Sequence, residues 1–480
     1  MYRAPSKRIQ LIKRVVIYTA MTIAVAILVT FLVFIMQGYR FNRDTSQIEQ
    51  GGLVQFASRP DTANVTIGSA NLGDQTPSKI TVNPGTYRVS MTKPGYFQWN
   101  KNVDVQSGQV LWLNYAQLVP KKITTKQLTK LAAVSDVTSS PNGDRFAVIA
   151  DASKPDITFI DVTGTTPKQT TLTLPSNVVP ADKTPTFSLD AWASDSDHLL
   201  VTMAYDGVVE HLFVDRNDAK KTVNISTTFE KDIAEALFDP RSPNRLIVRS
   251  SNGDIRLIDV ADSSLSAVIA TSVTSMSMYG NDAIVVVRNL ADGQSVGYVS
   301  FGSQKVRELK RVSSTDQVRA SVASYFSEPY LAVTSGNRLE VYKLRSLPSS
   351  ESNDSISMSS VHTFVMPASA DYLSIRSSGR FVFAQYGSGT LTYDIELKKQ
   401  SLMSLKTPVV SEVRWIDKYH FYITNGSTIE VLEFDGANAH TITSLATQFD
   451  VVQSDDGKYI YSINSTSDGF AIQRSQMILE

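Results

Sequence analysis

The chain of 480 residues has no cysteine, five histidines, four tryptophans and a modest 19% of charged residues, divided evenly between 46 Lys+Arg and 46 Asp+Glu. Without cysteine there is no disulfide framework, no thiolate-held zinc or iron–sulfur cluster and no thiol nucleophile. That lack suits an oxidising exterior and an anaerobic or bacterial surface habitat alike. The histidines, His198, His211, His362, His420 and His440, never fall at an HxH or HExxH spacing, and no GxSxG elbow, P-loop or dinucleotide-binding glycine fingerprint is present. No local motif therefore nominates a catalytic residue, a metal or a cofactor. The acidic turns Asp195-Ser196-Asp197 and Asp455-Asp456 do not follow the EF-hand spacing and read as polar hairpin turns. With 42% apolar residues the chain is not disordered, and at roughly 100–200 residues per domain it holds two to four domains or one large repeat domain.

One long hydrophobic run does stand out. From Val15 to Met36 there are 22 consecutive uncharged residues, interrupted only by Thr19, Thr22 and Thr30, whose hydroxyls can bond back to the helix. At ~1.5 Å per residue this predicts a helix of ~33 Å, enough for the ~30 Å hydrocarbon layer of a bilayer. A secretory signal has a shorter apolar region followed by a small-residue cleavage site, whereas Gln37-Gly38-Tyr39-Arg40 follows here; a buried core helix would show an amphipathic period. Arg3, Lys7, Arg8, Lys13 and Arg14 precede the run with no acid among them, while Arg40, Arg43 and Asp44 follow it. That bias predicts a cytoplasmic basic tail (1–14), a transmembrane helix (15–36), a linker (37–50) and an extracytoplasmic body. The body is then mildly acidic, which gives no electrostatic footprint for nucleic acid.

Residues 51–120 alternate polar and apolar in short stretches broken by Pro, Gly, Asn and Asp, the pattern of a small all-β sandwich. The order of the turns is more specific: Ser58-Arg59-Pro60, a strand with Val65 and Ile67, Thr76-Pro77, Asn83-Pro84-Gly85 and Lys93-Pro94-Gly95-Tyr96. This succession, with Pro60, Pro77, Pro84, Gly85, Gly95 and Tyr96 as its markers, resembles the PEGA domain, a β-module of bacteria and archaea. Its namesake motif is reduced here to Pro84-Gly85, without the Glu and Ala. The resemblance implies a binding or spacer module and supplies no catalytic residues. Tyr96, Phe97, Trp99 and Trp112 could form a carbohydrate platform, since flat rings stack on sugar faces, or fill the core of so small a sandwich.

From residue 121 to 480 a turn rich in Asp, Asn, Gly or Pro recurs before a strand, a polar turn and a second strand. Its copies begin near Ser139, Trp192, Phe238, Met278, Tyr325, Arg376, Trp415 and Gln453, roughly 40–50 residues apart. That period belongs to the four-stranded blades of a β-propeller, eight by this count with seven as the alternative. Ser140-Pro141-Asn142-Gly143-Asp144-Arg145 and Ser454-Asp455-Asp456-Gly457-Lys458 are similar to the hairpins of TolB-like and WD-repeat-like propellers. An open ring would leave unpaired strand edges, so the strand Lys122–Leu128 is expected to complete the last blade, after which the chain stops. The Ser-rich run Pro348–Ser360 reads as a mobile loop within the fifth unit.

The whole predicts an all-β protein behind one transmembrane helix, a PEGA-like sandwich followed by a propeller. Its expected role is recognition of a protein or cell-envelope polymer through the propeller. Two alternatives stand beside it: a hydrolase or lyase of an envelope polymer with acids gathered in the propeller channel, and a passive spacer of an envelope assembly.

Overall fold

The structure, a computed structural model, describes residues 7–42, 47–164, 166–230, 232–314, 316–376, 378–405, 413–425, 427–446, 451–454 and 456–479. Arg3, Arg43, Asp44 and Asp455 lie outside these. The described chain divides into two compact units, 1–122 with 478–480, and 123–477.

The first unit begins with a helix, Lys7–Met36, which takes in much of the basic segment expected as a tail. None of the stretch Gln10–Met36 is buried against protein. Thr22 Oγ1 and Thr30 Oγ1 donate to the carbonyls of Tyr18 (2.9 Å) and Ala26 (2.8 Å), which satisfies them without water. The thirteen Val, Ile, Leu and Phe residues of Val15–Met36 each favour a bilayer centre by about 0.3–0.6 kcal/mol, on the order of 4–8 kcal/mol together. The stretch read as a linker contains a hairpin, Tyr39–Asn42 with Gln47–Gln50, because Phe41 and Ile48 pair across it in register. Gln50 Nε2 donates to the carbonyl of Gln37 (2.8 Å), and the hydroxyl of Ser107 donates to that of Gln50 (2.9 Å).

Two sheets follow. In one, Gly52–Arg59 pairs antiparallel with Ser78–Val82 and parallel with Val110–Gln117; the other runs Ala70–Gln75, Asn64–Ile67, Gly85–Thr92 and Trp99–Val105. Strict alternation puts Val54, Phe56, Leu111 and Leu113 of the first against Val65, Ile67, Met91 and Trp99 of the second, all buried. The recurring Pro turns have a common staple. Ser58 Oγ and Thr76 Oγ1 lie 2.6 Å apart in the core, Ser58 donates to the carbonyl of Pro60 (2.7 Å), and Ala63 N donates to Thr76 Oγ1 (2.9 Å). Both Arg59-Pro60 and Thr76-Pro77 are cis. Asn83-Pro84-Gly85 is closed by the hydroxyl of Tyr87 on the carbonyl of Asn83 (2.9 Å). At the Gly95-Tyr96 turn the phenol oxygen of Tyr96 accepts from Leu479 N (2.6 Å), so 478–480, expected as the end of the propeller, belong with this module.

The second unit is a β-propeller. Among the described residues it has eight four-stranded antiparallel sheets, numbered in chain order from the one that begins with Asp136–Ser139, the first seven made of consecutive strands. The eighth joins Val452–Gln453, Tyr459–Thr466 and Gly469–Gln476 to Thr125–Leu131 from the start of the unit, so the first strand closes the ring as the edge argument requires. Neighbouring sheets pack face to face. Ile149, Ile157 and Phe159 of sheet one meet Trp192, Leu199 and Val201 of sheet two, and on the other face Phe146, Val148 and Ile160 meet Tyr461, Ile463 and Ile472 of sheet eight. The recurring sequence turn joins the first and second strands of each sheet. The Ser-rich run is strapped onto sheet four: Ser350 N donates to Ser300 Oγ (2.9 Å), Ser300 N donates to Ser350 Oγ (3.1 Å), and Arg307 Nη1 donates to the carbonyl of Ser352 (2.8 Å). The run supplies its own short hydroxyls as partners.

Candidate functional site

On the strand Val110–Gln117 the odd residues Leu111, Leu113 and Tyr115 face the core, which turns Trp112 and Asn114 outward. Register places Gln55 beside Trp112 and Lys79 beside Gln55, giving a Lys79–Gln55–Trp112 row across three strands. Trp112 is 44% exposed and walls a surface pocket of about 360 Å³ lined also by Gln55, Ala57, Ser78, Lys79 and Asn114. Ser78 pairs across the ladder with the core residue Phe56, so its side chain takes the inward phase, where Oγ is buried without a hydrogen-bond partner. Trp99, by contrast, is 1% exposed, edge-on to Tyr115 at 6.1 Å, and Tyr96 is buried in its turn. Phe97 is exposed, but its N–H donates to the carbonyl of Val119 (2.8 Å), seven residues along the chain from Trp112. At ~3.3 Å per extended residue the two lie roughly 20 Å apart, so the four aromatics are two core residues and two separate surface ones.

In the propeller, the recurring turns are held by their own side chains. Ser140 Oγ accepts from Arg145 N (3.0 Å) and donates to Asn142 Oδ1 (2.7 Å), and Ser454 Oγ repeats this with Tyr459 N and Asp456 Oδ1. In sheets two and seven an Asp does the work: Asp195 and Asp417 accept from following backbone N–H groups, and their carboxylates meet the imidazoles of His198 (2.6 Å) and His420 (2.8 Å). Burial opposes ionisation of Asp417, but His420 and two backbone N–H groups hold it below the usual carboxylate range.

Beside the turns of sheets one, three and six a cation at the start of the second strand faces an acid at the end of the third. The pairs include Arg145–Asp161 (3.4 Å), Arg245–Asp259 (2.6 Å) and Arg380–Asp394 (2.7 Å). The hydrogen bond from Arg245 holds Asp259 low. Arg380 and Asp394 are almost fully buried; the guanidinium grips both carboxylate oxygens, reaches Glu396 with its other nitrogen (2.7 Å), and Asp394 also caps Glu396 N (2.9 Å). Two turn glycines press on the preceding sheet: a Cβ on Gly143 would stand 2.8 Å from the carbonyl oxygen of Gln453, and one on Gly379 would stand 1.9 Å from that of Ser324.

The turn of sheet five departs from this economy. Phe326 is 82% exposed with a φ of +47°, a region that costs a residue other than glycine about 1–2 kcal/mol. Its ring leans on Tyr325 (4.5 Å), whose phenol is pushed far up by burial and by its bond to Glu396. An unsheltered aromatic in a strained hairpin contributes little to the fold.

The histidines do not converge. His198 and His420 serve their turns, His211 faces Asp190 (3.4 Å), and His362 stacks on Tyr393 (4.3 Å). Among the described residues no group of three His, Asp or Glu could hold a metal. A pocket of about 300 Å³ on sheet five contains Glu328 and Lys343, already paired at 2.6 Å. Sequence reasoning missed Phe326, Gln55, Lys79, Ser78 and Asn114. Strand parity, which sets Trp112 out of phase with Leu111 and Leu113, would have found Gln55, Lys79 and Asn114, and gives Ser78 the inward phase of Phe56.

Residues 52–120 match the PEGA domain, and residues 123–477 form a β-propeller. Among solved structures the chain is similar to the C-terminal WD40 domain of Sif2, at 12% identity over 74% of this chain and 99% of that one (TM-score 0.49). It is also similar to apo AztD from Citrobacter koseri, at 12% identity over 82% and 98% (TM-score 0.42). A third is an oligogalacturonate lyase in complex with manganese, at 12% identity over 74% and 98% (TM-score 0.40). These likenesses are of fold alone. No curated protein matches the chain.

Proposed function

We propose that the chain is a membrane-anchored scaffold that recognises a protein or cell-envelope polymer through one rim of its propeller. The helix Lys7–Met36 crosses the bilayer with its basic start in the cytoplasm, and both β units stand on the other side. The observation that carries the recognition role is Phe326, an exposed aromatic held in a strained turn on the rim where the first and second strands of each sheet meet. Strain without a packing return is characteristic of functional positions, and large aromatics are the commonest anchors of interfaces. The self-capped turns around it form a rigid platform, which lowers the entropy cost of binding.

The test is photo-crosslinking in intact cells, with benzoylphenylalanine placed at Phe326 or at Ala291, an exposed turn residue at the opposite end of sheet four. A discrete adduct from position 326 and none from 291 supports rim recognition. Equal labelling at both, or none at either, contradicts it.

A further inference from the structure

We infer that the outward face of the three-stranded sheet in the PEGA domain is a binding site for an acidic saccharide, with Trp112 as its stacking floor. The inference does not depend on the propeller rim. A β-sheet face turned to solvent normally pairs its polar side chains with each other. The four-stranded sheet of the same module does so: Thr66 with Ser90 (2.5 Å), Thr86 with Asp104 (2.7 Å) and Gln75 with Asn64 (3.1 Å). On the three-stranded sheet the pattern is broken. Gln55, Lys79 and Asn114 have no side-chain hydrogen bond or ion pair among the described residues, and all three border Trp112.

The chemistry of this set selects the ligand. A flat indole accepts the C–H face of a pyranose, and two amides offer both donors and acceptors to neighbouring ring hydroxyls. The Lys79 ammonium, with no carboxylate among the pocket residues, favours a sugar with an acid group. Ala57 and Pro77 are compact neighbours that leave room beside the indole. At about 360 Å³ the pocket is near the lower end of the ~300–1,000 Å³ range of small-ligand sites, a size for one or two sugar rings rather than a protein segment. The mildly acidic body disfavours long polyanions such as nucleic acid.

The experiment is a titration of the full chain in detergent with a hyaluronan tetrasaccharide, which alternates glucuronate and N-acetylglucosamine, and with chitotetraose as its neutral counterpart. Binding is read by calorimetry and tryptophan fluorescence. Saturable binding of the acidic sugar below about 1 mM is expected, with Trp112→Ala weakening it at least tenfold and Trp112→Tyr about threefold. Lys79→Gln should abolish the preference for the acidic over the neutral sugar. Phe326→Ala should leave every titration unchanged, which separates this site from the propeller rim. Circular dichroism identical to the parent chain shows that each variant is folded. No saturable binding of either sugar, or binding that survives Trp112→Ala in a folded variant, overturns the inference; equal affinity for both sugars in the parent chain overturns the acidic specificity.

Discussion

The cross-strand pairs repeated around the propeller occupy equivalent positions at different depths, so one substitution made in two sheets measures what burial does to an ion pair. Asp394 is 3% exposed and Arg380 5%; the guanidinium makes three hydrogen bonds to Asp394, two at 3.1 Å and one at 2.7 Å. Asp161 and Arg145 meet at 3.4 Å nearer solvent. Asn in place of either Asp keeps an oxygen for the turn N–H groups, so the loss is the charge and not the cap. Asp394→Asn takes the charged partner from a buried guanidinium and should cost about 3–5 kcal/mol. Asp161→Asn removes a pair worth about 0–1 kcal/mol. For a ring of 355 residues melting cooperatively, an unfolding entropy of about 0.7 kcal/mol/K converts these to falls in Tm of about 4–7 °C and at most ~1.5 °C. Differential scanning fluorimetry of the full chain reads the difference, and hydrogen exchange should open residues 372–404 first in Asp394→Asn. Equal falls in the two variants would refute the claim that burial, rather than the pair itself, sets the magnitude.

Other outcomes follow from the same geometry. Asp259 and Asp417 are held below their ordinary value of 3.8, so the unfolded chain binds more protons than the folded one below about pH 4; their stabilisation is present above that pH and lost as pH falls. Burial pushes His362 and His440 below 6.5, the same sign, so Tm should begin to drop as pH falls through about 6.5 and drop further below about 4; a Tm that rises between pH 7 and 5 would contradict this. Gly379→Ala forces a methyl against the carbonyl of Ser324 at a φ of +73° and should cost more than about 2 kcal/mol, read as a lower Tm; Gly207→Ala, a positive-φ glycine with open space around it, should cost only about 1 kcal/mol. Ser58→Ala removes a partner of the buried Thr76 hydroxyl and should lower the stability of the PEGA module by about 1–3 kcal/mol in urea, with Ser107→Ala near neutral.

The parts of the fold legible in the sequence are those whose apolar period is intact. Arg145–Ile149 and Asp156–Asp161 are central strands of sheet one, buried on both faces, and read directly as β. The outer strand Lys168–Thr173 is polar nearly throughout and borrows its strand character from the ladder beside it, and Ser264–Leu265 is too short to register. Composition misled at Pro348–Ser360, where seven serines suggest mobility; the partners that fix Ser350 are fifty residues away, at Ser300, and no local pattern announces them. The Gly and Pro turns of the PEGA module were legible because each carries its own conformational requirement. Trp99 and Trp112 look alike as residue types, and only the phase of the strand each occupies separates core from surface. Phe326 gave no periodic signal, since a two-residue turn has no period.

The proposed role requires a body outside the cytoplasmic membrane, and the absence of cysteine makes that directly measurable. Single cysteines at Ser327, in the exposed turn of sheet five, and at Ser6, ahead of the helix, are treated in intact cells with a membrane-impermeant maleimide. The account predicts labelling of Ser327→Cys at once and of Ser6→Cys only after the membrane is permeabilised. Labelling of Ser6→Cys in intact cells with protection of Ser327→Cys would contradict it.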